Sequence, residues 1–134
     1  MKVGTAFAFR KLFSTVEETL KTAFSSETVN PSDNSIDFGI GIILHPDFDS
    51  ESGEVRVYIK SPAGKYSGSV MKKNYKLSIP SAISIDGIKM TFDEGAGQYN
   101  CAVFFGDKVI YDAPLFDLTI SAKEERKQEH HLVT

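Results

Sequence analysis

Residues 35–60, SIDFGIGIILHPDFDSESGEVRVYIK, decide the fold because large apolar side chains alternate with other residues along two of their stretches. In residues 36–44 every second position is a large apolar residue, and Val55, Val57 and Ile59 alternate with charged or amphipathic side chains. Successive side chains of a β-strand point to opposite faces. This period of two therefore predicts two strands, each of which buries one face.

The rest of residues 35–121 predicts further short strands, separated by turn residues at intervals of about 8–12 positions. Asp86-Gly87 predicts a two-residue hairpin, and Gly106-Asp107 predicts another. Parallel neighbours would need a long crossover instead. We therefore expect a mainly β, antiparallel sandwich, with a closed barrel as the alternative. The remaining strands are expected at residues 66–71, 75–79, 83–85, 88–92, 99–105, 108–111 and 115–120.

The N-terminal part of the chain changes its periodicity after the first ten residues. Residues 3–9 alternate and predict a strand. Ser14 and Glu17 have the spacing of a capping box, and the apolar residues that follow recur at helical spacing, which predicts a short helix over residues 15–24. The alternative is that residues 9–16 continue the extended strand.

Length and composition are those of one globular domain of 134 residues, with 41% hydrophobic and 25% charged positions. Within it we expect an N-terminal strand and helix segment, residues 1–34, that packs on the domain. The sandwich itself covers residues 35–121. Residues 122–134, AKEERKQEHHLVT, predict a flexible or helical charged tail.

Charge, hydropathy and cysteine content argue against several classes of function. The formal net charge is -3, without the basic excess of nucleic-acid-binding proteins. No apolar run approaches the roughly 18 residues of a membrane span. Cys101 is the single cysteine, so no disulfide can form within the chain. We therefore expect a cytoplasmic protein that binds neither nucleic acid nor membrane.

Residues 93–101, DEGAGQYNC, carry the most specific motif of the chain. An acidic residue and a glycine before Tyr99-x-Cys101 resemble the entry to strand F of immunoglobulin-like (Ig-like) sandwiches. The resemblance covers residues 35–121 and is greatest to uncharacterised bacterial Ig-like domains, in which a strand such as VRVYIKSPAGK precedes a hairpin such as GQYNCAVFFGDKVIYDAPL. It implies that the Tyr99 hydroxyl bonds to the backbone of the preceding turn, a tyrosine corner, and that Cys101 points into the core.

Two departures from antibody domains qualify this resemblance. Cys101 has no second cysteine to pair with, and the chain has no tryptophan. The disulfide and the tryptophan that pin the core of antibody domains are therefore absent. The resemblance consequently implies a microbial or cytoplasmic variant whose core is held by aliphatic packing.

No catalytic motif is complete in this sequence. Gly39-Ile40-Gly41 lacks the third glycine and the following helix of a phosphate-binding loop, and those glycines are expected to thin a strand where another element passes closely. Cys101 is expected in the core, where a thiol is not a nucleophile. His45, His130 and His131 do not form a metal-ligand set. We therefore expect neither an enzyme nor a cofactor.

The acidic turn of residues 47–54 offers one alternative. Asp47, Asp49 and Glu51 have the alternating spacing of calcium ligands, although Ser52 stands where a calcium loop needs glycine and Tyr58 stands at its twelfth position. These residues are weak metal candidates, and they define an alternative function, a calcium- or carbohydrate-binding sandwich. The interpretation that needs no ligand is a solvated connection between two strands.

Lysines and tyrosines concentrate in the middle of the sequence. Basic residues cluster between positions 60 and 76 beside acidic turns, which suits either a charge-steered protein interface or the protection of an edge strand. Tyrosines are suited to anchoring an interface. The candidate binding residues are Tyr58, Lys60, Lys65, Tyr66, Lys72 and Lys73.

The sequence thus predicts a non-catalytic protein-interaction module with a protein partner. We expect a microbial or viral accessory, inhibitory or scaffold protein. A second alternative is a structural subunit whose sheet edges pair between copies to build a homo-oligomer.

Overall fold

The computed structural model describes residues 1–33, 35–48 and 50–121. The expected tail, with His130 and His131, and the metal candidate Asp49 lie outside these residues. The helix is α1, Val16–Leu20, and the strands are β1 Lys2–Phe9, β2 Ala23–Phe24, β3 Ser26–Val29, β4 Ser35–His45, β5 Glu51–Lys60, β6 Met71–Leu77, β7 Ser81–Thr91, β8 Gly97–Phe105 and β9 Lys108–Ile120.

Two sheets form the predicted sandwich. The four-stranded sheet has the order β2-β1-β4-β7, and the five-stranded sheet has the order β3-β9-β8-β5-β6. The pairs are antiparallel except for the parallel pair of β3 and β9. The mainly β fold and the short N-terminal helix are confirmed. The first 33 residues contribute strands to both sheets.

The core lies between the inner faces that the period of two predicts. The core includes Ile40 and Ile42 of β4 and Val55 and Val57 of β5, all at most 1% exposed. Phe38, Phe24 and Tyr99 pack around Phe116 at one end, with centroid separations of 5.3–5.6 Å. Aromatic rings therefore supplement the expected aliphatic packing, in a core that has neither a tryptophan nor a disulfide.

The contact expected of a tyrosine corner is present. The Tyr99 hydroxyl donates a hydrogen bond of 2.7 Å to the carbonyl oxygen of Gly95, four residues upstream. Cys101, two residues later, is fully buried on the inner face. The bond ties the turn before β8 to the ring that stacks on Phe116 in the core.

Gly39 and Gly41 leave β4 without side chains where other residues pack closely on it, as the sequence predicts. Phe9 lies directly opposite Gly39 and Phe7 opposite Gly41 on the outer face of the four-stranded sheet. A Cβ atom at either glycine would overlap the ring of the phenylalanine that faces it. The two rings therefore pack closely over β4 because it has no side chains at these positions.

The helix is shorter than predicted. It begins after Thr15, whose hydroxyl accepts from the amide of Glu18, so the cap is Thr15 rather than Ser14. It ends at Leu20 because Ala23 and Phe24 pair with β1. Pairing with β1 and burial of the Phe24 ring against Phe116 outweigh the helical periodicity of residues 15–24.

The predicted hairpin at Asp86-Gly87 is wrong. Residues 81–91 form one strand, and Asp86 and Gly87 lie opposite the single residue Gly39. This is a β-bulge, which uses the positive φ of Gly87, +68°, within a strand rather than at a turn. The Gly106-Asp107 hairpin is confirmed, since Phe105 pairs with Lys108 across it.

Two other pairs of predicted strands each correspond to a single strand in the structure. Lys72 and Lys73 lie inside β6, which is one strand instead of the two expected at residues 66–71 and 75–79. Tyr66 makes only an isolated bridge to Lys60. The strands expected at residues 108–111 and 115–120 are the two ends of β9, whose register shifts along β8.

Candidate interaction surface

Three aromatic rings form a cluster on the outer face of the five-stranded sheet. Arg56 pairs with Phe104 and Tyr58 with Ala102, and directly paired residues share a face of a sheet. The Tyr58 centroid lies 5.4 Å from Phe104 and 5.8 Å from Tyr66, with the rings edge to face. Ala102 is fully buried on this face, which the rings above it explain. Tyr58, Tyr66 and Phe104 are called the aromatic cluster below.

A short loop positions Tyr66, which contributes the most exposed ring of the cluster, at 47%. The loop turns at Gly64 and returns along β5. The Ser67 amide donates to the carbonyl of Ile59, 2.8 Å away, and the Ile59 amide donates to Ser67 Oγ at 3.0 Å. On the other side of Tyr66, the Ser61 amide donates to the carbonyl of Lys65 at 2.8 Å, so the residues on both sides of Tyr66 are held by hydrogen bonds.

Arg56 is fixed beside the cluster by several contacts at once. Its guanidinium donates to the carbonyl of Gly106 at 2.9 Å and to the Tyr58 hydroxyl at 3.3 Å. Its central carbon lies 5.5 Å from the centroid of Phe104. A guanidinium held in this way loses little further conformational freedom when a partner contacts it.

Lys60 occupies the other side of the cluster as part of a polar triad. Its Nζ lies 2.8 Å from Asp112 and 5.9 Å from the Tyr66 ring, and Asn100 donates to the second oxygen of Asp112 at 2.9 Å. The hydrogen bonds from Lys60 and Asn100 lower the pKa of Asp112. The bond to Asp112 raises the pKa of Lys60 in turn.

The other predicted lysines are distributed around the cluster and away from it. Lys72 shares the outer face, because it pairs with Arg56, and it lies 3.9 Å from Glu54. Lys73 has the opposite parity, and its ammonium lies 5.4 Å from the Tyr75 ring. The six predicted residues therefore do not form one patch. Tyr58, Lys60 and Tyr66 come together, and Lys72 lies at their rim.

Sequence reasoning missed Phe104 and Arg56. Both alternate with buried residues, Phe104 with Val103 and Arg56 with Val57, and that parity was a signal for the outer face. Their proximity could not be inferred, because it depends on the register of β5 against β8.

A cleft of about 430 Å³ begins where the cluster ends at Tyr66. Its apolar walls include Ile59, Met90 and Tyr99. Lys65 and Glu94 also line it, with their charged groups 3.6 Å apart. The predicted binding residue Lys65 therefore belongs to this cleft, which continues the surface from the aromatic cluster toward the turn before β8.

Two carboxylates of the acidic turn contact the N-terminal amine. Asp47 Oδ2 and Glu51 Oε1 each lie 2.5 Å from the amino nitrogen of Met1. Burial opposes protonation of this amine, but the bonds to Asp47 and Glu51 outweigh it and raise its pKa. The bond to the amine lowers the pKa of Asp47. The two calcium candidates within the described ranges thus bind an ammonium group.

No group of three or more His, Cys, Asp or Glu side chains could hold a metal ion in residues 1–33, 35–48 and 50–121. Burial raises the pKa of the Cys101 thiol to about 12. The thiol is therefore protonated at neutral pH and is not a nucleophile. Within the described part of the chain, no helix is long and apolar enough to cross a membrane.

Comparisons with known proteins give little information about this chain. No protein-family model and no curated protein matches it. The β-glucosidase from Kluyveromyces marxianus in complex with glucose is similar over 70% of this chain and 14% of its own, with 14% identity and a TM-score of 0.31. The selenomethionine-labelled β-glucosidase from Kluyveromyces marxianus is similar over 72% of this chain and 15% of the β-glucosidase chain, with 13% identity and a TM-score of 0.30. These scores carry no inference about function.

Proposed function

We propose that this protein is a non-catalytic interaction module that binds a protein partner through the outer face of its five-stranded sheet. The observation that carries the proposal is the aromatic cluster, with Arg56 and Lys60 fixed on its two sides. Tyrosine and arginine are enriched among the residues that dominate binding energy at protein interfaces. Their amphipathic side chains bury a large area while their polar ends keep hydrogen bonds.

The arrangement favours binding because much of the ordering has already taken place. Arg56 is held by the carbonyl of Gly106, and Lys60 is held by Asp112. A partner would not have to pay the full entropy of fixing these long side chains. We infer that the partner places an apolar anchor against Tyr66, surrounded by polar groups.

Charges at the rim define a second aspect of the proposal. Lys72 is 63% exposed, and Lys65 is 71% exposed at the cleft. Exposed charges of this kind affect association rate and its salt dependence more than they affect affinity. We therefore propose that the partner's binding surface extends over the cleft and carries acidic groups opposite these lysines.

The family and setting of the protein remain part of the proposal. Membership among bacterial Ig-like domains is supported by the bond between Tyr99 and Gly95, the contact of a tyrosine corner. A cytoplasmic setting is consistent with the single free cysteine, since disulfides are rare in that compartment. A microbial or viral accessory or scaffold role is consistent with both.

Affinity capture from a host extract tests the proposal. We expect the immobilised wild-type chain to capture a protein that the Tyr66→Ala and Lys60→Glu variants recover far less well. Phe48→Ala is the matched control, because Phe48 is 72% exposed and is not part of the aromatic cluster. If Tyr66→Ala recovered the same protein in the same amount, the aromatic cluster would not be the binding surface.

A further inference from the structure

The two long edges of the sandwich differ in how they are protected against pairing. Strand β6 ends the five-stranded sheet and has seven residues, whereas β7 ends the four-stranded sheet and has eleven. Every second residue of an edge strand directs its N–H and C=O groups away from the sheet. Among the described residues, β7 pairs only with β4, so one of its sides offers these groups to another strand.

The two edge strands also differ in charge. Lys72, Lys73 and Lys76 lie in β6 and oppose its pairing with a like strand. The first half of β7, residues 81–85, has the sequence Ser-Ala-Ile-Ser-Ile and carries no charge. Pairing two copies of β6 would bring six lysines together, whereas pairing two copies of this segment opposes no like charges.

The side chains of residues 81–85 also suit an added strand. Ile83 and Ile85 face the core and are 9% exposed, while the small Ala82 and Ser84 lie on the outer face. The bulge at Asp86-Gly87 ends the regular edge, so the segment has a defined length. Ile79, just before the segment, is 68% exposed and would be covered in part by a neighbouring chain.

We propose that two copies of this chain pair antiparallel through residues 81–85, so that their four-stranded sheets join into one continuous sheet. A two-fold axis at Ile83 places Ala82 of each copy opposite Ser84 of the partner subunit. The segment is short, and interfaces at the small end of the size range bind weakly. We therefore expect a dimer that dissociates on dilution.

Sedimentation equilibrium over a range of concentrations tests this proposal. We expect the wild-type chain to pass from monomer to dimer as its concentration rises. The double variant Ala82→Lys, Ser84→Lys places lysines opposite lysines in the proposed register and should remain monomeric. The double variant Ala82→Glu, Ser84→Glu should also remain monomeric, and an equimolar mixture of the two should form a salt-sensitive heterodimer.

The controls separate this edge from the rest of the molecule. Asn74→Lys adds a lysine to the β6 edge and should leave the dimer unchanged, and thermal melts should show that each variant folds. A wild-type chain that remains monomeric at millimolar concentration would overturn the proposal. So would a dimer that the lysine pair leaves intact, or a mixture that does not associate. The aromatic cluster belongs to the other sheet, so failure of one proposal leaves the other standing.

Discussion

The outer faces of the two sheets both carry aromatic rings, but the rings differ in how far they are exposed to solvent. On the four-stranded sheet, Phe9 is fully buried over Gly39, and Val16 and Thr19 of α1 line a shallow groove with Phe7. On the five-stranded sheet, Tyr66 is half exposed, and Arg56 and Lys60 flank the cluster. The first face therefore contributes to stability, and we assign binding to the second.

Removing one ring from each face should have the largest effect and should separate the two roles. We expect Phe9→Ala to lower the free energy of unfolding by about 3–5 kcal/mol, because a fully buried ring is lost. We expect Tyr66→Ala to lower it by about 1 kcal/mol or less, because its ring is half exposed and loses only aromatic contacts. Urea denaturation measures both. Similar losses at the two sites would contradict the comparison.

The glycines beneath the covered rings provide the next test. We expect Gly41→Ala to cost about 1–3 kcal/mol, because the new methyl group would overlap the Phe7 ring and force it to move. Gly68→Ala is the matched control, since a Cβ atom there has nothing within 4 Å. Denaturation midpoints that fall equally for the two variants would show that Phe7 does not lie over Gly41.

The tyrosine corner allows a smaller test that involves neither outer face. Tyr99→Phe removes the hydrogen bond to the Gly95 carbonyl and keeps the ring that stacks on Phe116. We expect a loss of about 0.5–1.5 kcal/mol in the free energy of unfolding. No change in that free energy would mean that the turn before β8 is held by other contacts.

The ammonium group of Met1 predicts a modest dependence of stability on pH. The lowered pKa of Asp47 contributes stability that is lost as pH falls through the folded-state value, in the acid range below about 4. The raised pKa of the amine contributes stability that is lost as pH rises above 8.0 through its folded-state value. Urea midpoints across pH should therefore decline at both ends.

The double variant Asp47→Asn, Glu51→Gln removes both carboxylates from the Met1 amine. Its midpoints should be lower than those of the wild type near neutral pH, and the alkaline decline should be weaker. An alkaline decline of the same size in this variant would show that the amine does not contribute to stability through these carboxylates.

Local pattern was sufficient for the parts of the fold in which one face of a strand is buried. The alternation around Ile40 and Val57 predicted β4 and β5, and the motif at Tyr99 predicted both the corner bond and the burial of Cys101. At Asp86-Gly87 it was insufficient, because the same residues suit a hairpin turn and a bulge. The outcome there depends on β4, which is long enough to pair with both halves of β7.

The candidate site was only partly predictable for the same physical reason. Tyr58, Lys60 and Tyr66 are near in sequence, so their position on one surface could be predicted. Phe104 joins them only through the register of β5 against β8, which no local pattern specifies. The contact of the acidic turn with the Met1 amine could not be predicted, because Met1 lies 46 residues from Asp47 in the chain.

The most direct test of the account is the affinity of the captured partner for three variants. Titration should give nearly the same Kd for wild type, for Phe48→Ala and for Leu20→Ala, whose side chain is 46% exposed on α1. Tyr66→Ala should weaken Kd about tenfold or more, which corresponds to about 1.4 kcal/mol or more, while the chain remains folded. If Leu20→Ala weakened binding and Tyr66→Ala did not, the partner would bind the face that we regard as structural.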